Sequence, residues 1–227
     1  MWVYSSEQVT VYSIQPGRGL EQARVVLGQD YAGFLVRDGW RVYRGFTQAI
    51  HQTCLAHLLR RTKEMLEVSS QEAAEFPLAV KTLLKEGLQL RDRYAQGQIE
   101  THGLAVATGK LEARLDRLLE SPAAATSPAN RRLANHLLGE RDALFTFLYC
   151  PGLDATNYRA EQAIRPMVVT RKTWGGNRTP TGAHTQSALA SVLQTCRQQF
   201  PSAIDVFQQL LCSPEPLTLD LTLPQPR

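Results

Sequence analysis

The stretch GFLVRDGWRVY, residues 33–43, decides how the chain is read. An apolar run climbs to one acid, Asp38, and stops on Gly39. Asp-Gly is a common hairpin signal, so Asp38 alone reads first as a turn aspartate. A carboxylate at the C-terminal end of a buried strand has a second meaning, because α/β sheets place their ligands there. The choice depends on whether another acid can serve the same site.

The flanking segments favour a sheet. WVYSS and QVTVYSI, near the N-terminus, are rich in β-branched and aromatic residues and read as two hairpin strands. Leu20, Ala23, Val26 and Leu27 then fall at helical spacing. The run through residues 32–40 suits a strand buried on both faces. A helical turn is expected over Tyr43–Ala49. In IHQTCLAHLLRRTKEML the front half reads as a short strand and the back half as a basic helix. Strands alternating with helices predict an α/β fold over residues 1–70.

Residues 71–150 read differently. Val80, Leu83, Leu84 and Leu88 repeat at helical spacing, as do Leu111, Leu115, Leu118 and Leu119. They predict two antiparallel helices. SPAAATSPAN reads as a loop and Arg131–Tyr149 as a third helix, so this block is an all-helical insertion in the α/β pattern. Residues 151–212 resume the core. Asp154 is a candidate helix N-cap. Asn157, Glu161 and Arg165 would share one helix face, and Pro166 would end or kink that helix. A last helix over Ala183–Gln199 would turn Leu189, Val192, Leu193 and Cys196 inward. Residues 213–227 hold four prolines and no core pattern, and read as a disordered tail.

The chain has 227 residues, 43% of them hydrophobic, and a formal net charge of +4. Between Asn157 and Arg178 stand Arg159, Arg165, Arg171, Lys172 and Arg178 against Glu161 alone. Two acids beside such a strip suit metal-dependent chemistry on a phosphate backbone. Carboxylates offer the oxygen ligands that Mg²⁺ prefers, and the cations neutralise phosphates. His57, Arg60, Arg61 and Lys63 form a second basic cluster. Cys54, Cys150, Cys196 and Cys212 are scattered, which excludes a CxxC zinc site and reads as reduced thiols of a cytoplasmic protein. No apolar stretch is long enough to span a bilayer.

GFLVRDGWRVYRGF, HQTCLAHLLRR and NYRAEQAIRPMVVTRKTWGGNRTPTGAHTQSALASVLQT resemble successive blocks of the insertion sequence 66 family of bacterial transposases. The resemblance covers nearly all of the chain except the tail. It implies a ribonuclease H-like mixed sheet with a helical insertion and an Asp-Asp-Glu triad binding Mg²⁺ or Mn²⁺. The second acid falls on Asp38 and the third on Glu161. Arg165, Arg171, Lys172 and Arg178, with Asn157, His57, Arg60 and Arg61, would meet the DNA of element ends and target. The first aspartate of the pattern lies just before the hairpin that here starts at Trp2. The resemblance therefore implies a chain lacking that strand and acid, inactive alone and exposing a sheet edge. The alternative is a non-catalytic DNA-binding or dimerising fragment that modulates an intact transposase.

Overall fold

The computed structural model describes residues 1–200 and 202–214. The chain divides into two compact units: Met1–Gln29 with the described residues from Tyr158 onward, and Asp30–Asn157.

The first unit opens with strands β1 (Trp2–Ser5) and β2 (Thr10–Ser13), an antiparallel pair with Trp2 opposite Ser13 and Ser5 opposite Thr10. Helix α1 spans Leu20–Leu27, and α7, α8 and α9 span Tyr158–Trp174, Pro180–Gln199 and Ala203–Cys212. Tyr12, Ala163 and Met167 form the core, with Val3, Ile14 and Ala190 against them. The second edge of β2 does not face water. Thr10 N–H donates to Thr195 Oγ1 at 3.1 Å, Tyr12 N–H to Ser191 Oγ at 2.9 Å and Ile14 N–H to Ser187 Oγ at 3.0 Å. Four helical residues rise roughly 6 Å and two strand residues roughly 6.7 Å, so hydroxyls at every fourth position of α8 meet every second amide of β2. A helix thus caps a strand edge that would otherwise invite pairing.

The structure corrects two expectations in this unit. Pro166 does not end its helix; α7 runs through it to Trp174. Proline removes one amide donor from the helix ladder. Here the carbonyl deprived is that of Gln162, and both residues are exposed, so water can satisfy it. Next to the gap, Tyr12 Oη donates to the Ala163 carbonyl at 2.5 Å and holds the helix to β2. Leu189 is not inward but 55% exposed, because the buried stripe of α8 carries Thr195 and Cys196 beside its hydroxyls.

In the second unit β3 (Phe34–Arg37) and β4 (Ile50–Thr53) form a parallel pair, with a 3₁₀ turn at Arg41–Gly45 between them. Helix α2 (Leu55–Val68) follows, then α3 (Gln71–Ala95) and α4 (Thr101–Glu120), the expected helical pair. Phe76, Val80, Leu83, Leu84, Leu111 and Leu115 pack with Leu55, Leu133 and Leu137 in one core. The element order of the first seventy residues is as expected, with the 3₁₀ turn at Arg41–Gly45 in place of a helical turn over Tyr43–Ala49. The strands form two separate two-stranded sheets and not one mixed sheet. β3 is not buried on both faces: Leu35 and Arg37 are buried while Phe34 is 49% exposed.

The third helix of the insertion is broken. α5 covers Pro128–Glu140 and α6 Thr146–Tyr149, with a 3₁₀ turn between. The cause is buried Gln52 on β4. Its amide donates to the Leu144 carbonyl at 3.1 Å and accepts from Phe147 N–H at 2.9 Å, and Thr146 Oγ1 donates to the His51 carbonyl at 2.6 Å. Backbone groups that a helix would use for itself are spent on the strand. Ser127 caps α5, accepting from Asn130 N–H at 3.1 Å. The expected tail lies, beyond Pro214, outside the described residues.

Candidate nucleic-acid and metal site

Asp38 stands one residue past β3, half-buried. The Trp40 N–H donates to its Oδ1 at 3.0 Å. The aspartate therefore closes a turn with this oxygen, as the turn reading expects. A half-exposed carboxylate oriented by an amide fits a hard divalent cation, which takes oxygen ligands and retains water. Burial, with the Asp38 charge added, pushes the Tyr43 hydroxyl up to about 12, so this phenol stays protonated beside the acid.

Asp38 is held from below by a network that the sequence does not announce. Its neighbour Arg37 points to the buried side and pairs with Glu140 at 2.6 Å. Arg44 pairs with the same carboxylate at 2.5 Å, and Thr53 Oγ1 also donates to it. Burial raises the Glu140 pKa, but the bonds from Arg37, Thr53 and Arg44 outweigh it and hold the carboxyl at about 2. Arg37 Nε donates to His51 Nδ1 at 3.1 Å, so the proton of that ring sits on Nε2, 2.9 Å from the Phe46 carbonyl. β3, β4, the 3₁₀ turn and α5 are thereby locked around one carboxylate.

His57, Arg60 and Arg61 lie on α2, Arg60 exposed and the other two partly buried. Asn157 N–H donates to Cys54 Sγ at 3.3 Å and Leu55 N–H to the Ala155 carbonyl at 3.0 Å, which docks Asn157 at the start of this helix. Burial raises the Cys54 pKa, yet bonds from His57 and the Asn157 amide draw it below the usual thiol value. All four cysteines are free. Asn157 precedes α7 instead of sharing its face, and Asp154 lies four residues before that helix, which starts at Tyr158.

In the first unit Glu161 sits in the first turn of α7, partly buried, with exposed Arg165 one turn on. Arg171 and Lys172 occupy the last turn. Gly175 and Gly176 follow with φ of 81° and 93°, values that favour glycine, and reverse the chain into the loop bearing exposed Arg178. Thr179 then caps α8, accepting from Gly182 N–H at 3.0 Å. Arg159 is spent on Glu7 at 2.8 Å. The cations of this strip are therefore arrayed along one helix and its following loop. Asp38 and Glu161 belong to different units.

Sequence reasoning missed Glu140, Arg37, Arg44, Arg132 and His136. The last two share a four-residue spacing with Glu140, the one pattern that could have found them. No helix of the described residues is long and apolar enough to cross a membrane. The model of the Transposase IS66 family matches residues 1–185. Uncharacterized protein y4qI of Sinorhizobium fredii is 25% identical over 234 residues, which cover 93% of this chain and 43% of that protein. The chain thus spans less than half the length of this relative. No solved structure matches.

Proposed function

Because the chain belongs to the IS66 family of transposases, we propose that it forms the catalytic core of a DNA transposase of the Asp-Asp-Glu type. Its transposition-related role rests on the family. The chemistry rests on one observation: Asp38 stands at the end of a strand with one carboxylate oxygen fixed by an amide and the other available. In this reading β1, β2, β3 and β4 are parts of a ribonuclease H-like core interrupted by the helices of residues 71–150.

Asp38 and Glu161 would hold Mg²⁺ or Mn²⁺ through carboxylate oxygens. Such an ion, when bound, stabilises negative charge on the attacking and leaving oxygens of a phosphodiester. The protein's own part is positioning. Arg165, Arg171, Lys172 and Arg178 offer a row of cations to successive phosphates, and His57, Arg60, Arg61 and Asn157 offer donors at the start of α2 and along it. Asp38, turned by Trp40 N–H, fixes where the water or 3′-hydroxyl is presented.

The family pattern has three acids, and residues 1–227 offer two that match it. Carboxylates that act as a unit fail as a unit. The 227-residue polypeptide is therefore expected to bind DNA without cutting it, which is also how a modulating fragment would behave. Purified protein is incubated with a plasmid carrying element ends in Mg²⁺ or Mn²⁺. Salt-sensitive binding without nicking is expected. Nicking that Asp38→Ala abolishes would show that two acids suffice. Absence of any DNA binding would remove the transposase reading of this polypeptide.

A further inference from the structure

The helical insertion carries a polar stripe that the proposed chemistry does not use. On α5, Arg132, His136 and Glu140 recur every fourth residue and so lie along one face. Glu140 fixes the end of that stripe through Arg37 and Arg44. One turn earlier, the His136 ring packs over Gly39, the residue after Asp38: a Cβ added there would meet its Cε1 at 3.0 Å and Nε2 at 3.3 Å. Gly39 is thus the space in which this imidazole reaches the strand end. A further turn back is exposed Arg132, and Arg61 of α2 lies near both.

The charges there do not balance. Glu140 is shared by Arg37 and Arg44, so it offsets only one of them. The groups that act on Arg61 are its own partial burial and Arg132, with no carboxylate among them. Arg132 has no ion-pair partner among the described residues. Like charges that act on one another with no acid to offset them repel and work against folding. Such an arrangement suits an anion that arrives from outside, and guanidinium suits phosphate best through paired N–H donors.

We propose that Arg61, Arg132 and His136 form a clamp for a backbone phosphate of DNA beside the strand end that bears Asp38. The proposal rests on the transposase reading and deepens it: the insertion becomes a part of the DNA-binding surface. The clamp lies wholly within Asp30–Asn157 and needs no residue of the other unit.

The test measures binding of a short DNA duplex by the 227-residue protein across a salt series. Each phosphate contact contributes about 0.9 to the slope of log affinity against log salt. Arg61→Gln with Arg132→Gln is expected to flatten that slope by about 2 and weaken binding about tenfold at low salt. Arg132→Gln alone, an exposed change that leaves the core intact, is expected to flatten it by about 1. Because two like charges are removed, the double variant is expected to melt no lower than wild type. Arg171→Gln with Lys172→Gln serves as the comparison. A slope unchanged in both clamp variants but reduced in the comparison overturns the clamp and leaves the transposase reading standing. Failure of the wild-type protein to bind duplex DNA overturns that reading and the clamp with it.

Discussion

At Glu140 one buried carboxylate joins two arginines and a threonine from three other segments. Its carboxyl is held at about 2, against an ordinary 4.5. A depressed carboxyl contributes stability that is complete above its unfolded value and is lost as pH falls toward the folded one. The window is therefore pH 4.5 down to about 2, and the loss over it is about 3 kcal/mol. Chemical denaturation at stepped pH should show this decline in wild type and not in Glu140→Gln. At neutral pH that variant leaves Arg37 buried without its counter-charge and is expected to lose about 3–5 kcal/mol. An unchanged denaturation midpoint would mean that the network opens to water. His51 and His136 are both pushed down by burial, so the unfolded chain takes up protons at them first as pH drops below about 6.5, and stability begins to fall there. The place of Asp38 at a strand end was legible because a strand and a turn announce it locally. Glu140 was not, because its partners Arg44 and Thr53 stand 96 and 87 residues away in sequence and only the folded chain brings them together.

The elements show the same division. Hydrophobic spacing marked the insertion's first two helices, since their stripes face one shared core. It failed where side-chain polar groups rewrite the backbone. Gln52 breaks the third helix, and Ser187, Ser191 and Thr195 turn a helix face of hydroxyls toward a strand. The Ser-Ser-Thr spacing was visible, but nothing in the sequence alone says that its partner is the edge of β2. Thr195 is the most informative of the three. Its hydroxyl accepts from the buried Thr10 amide and donates back to the Thr10 carbonyl at 3.2 Å. Thr195→Val keeps the shape and strands both groups. It is expected to cost about 1–3 kcal/mol, read as a lower denaturant midpoint at unchanged m. Ser187→Ala, at a partly exposed site where water can substitute, should cost less. Equal costs at the two positions would mean that the cap is satisfied by solvent throughout.

For the whole molecule, the partition into two units gives each a share of the proposed chemistry: Asp38 in one, Glu161 and the basic strip in the other. If both acids serve one ion, either loss should remove the metal response and neither should remove DNA binding, since phosphate contacts carry most of the affinity. Asp38→Asn and Glu161→Gln are each expected to abolish the shift in melting temperature that Mn²⁺ causes in wild type. Linkage sets the size of that shift, so it vanishes when the ion binds folded and unfolded chains alike. Both variants should keep the wild-type salt slope for duplex DNA. Had the acids been only structural, Asp38→Asn would lower the melting temperature without Mn²⁺ and leave the Mn²⁺ shift intact. Had they bound separate ions, each single variant would keep part of the shift and only the double variant would lose it. Translating the DNA that precedes the Met1 codon tests where the third acid lies. A frame in phase that encodes a strand with an aspartate would supply the third carboxylate, and joining it to this chain should convert Mn²⁺ binding into DNA nicking. A stop or frame break there would leave the DNA-binding fragment as the working form of this polypeptide.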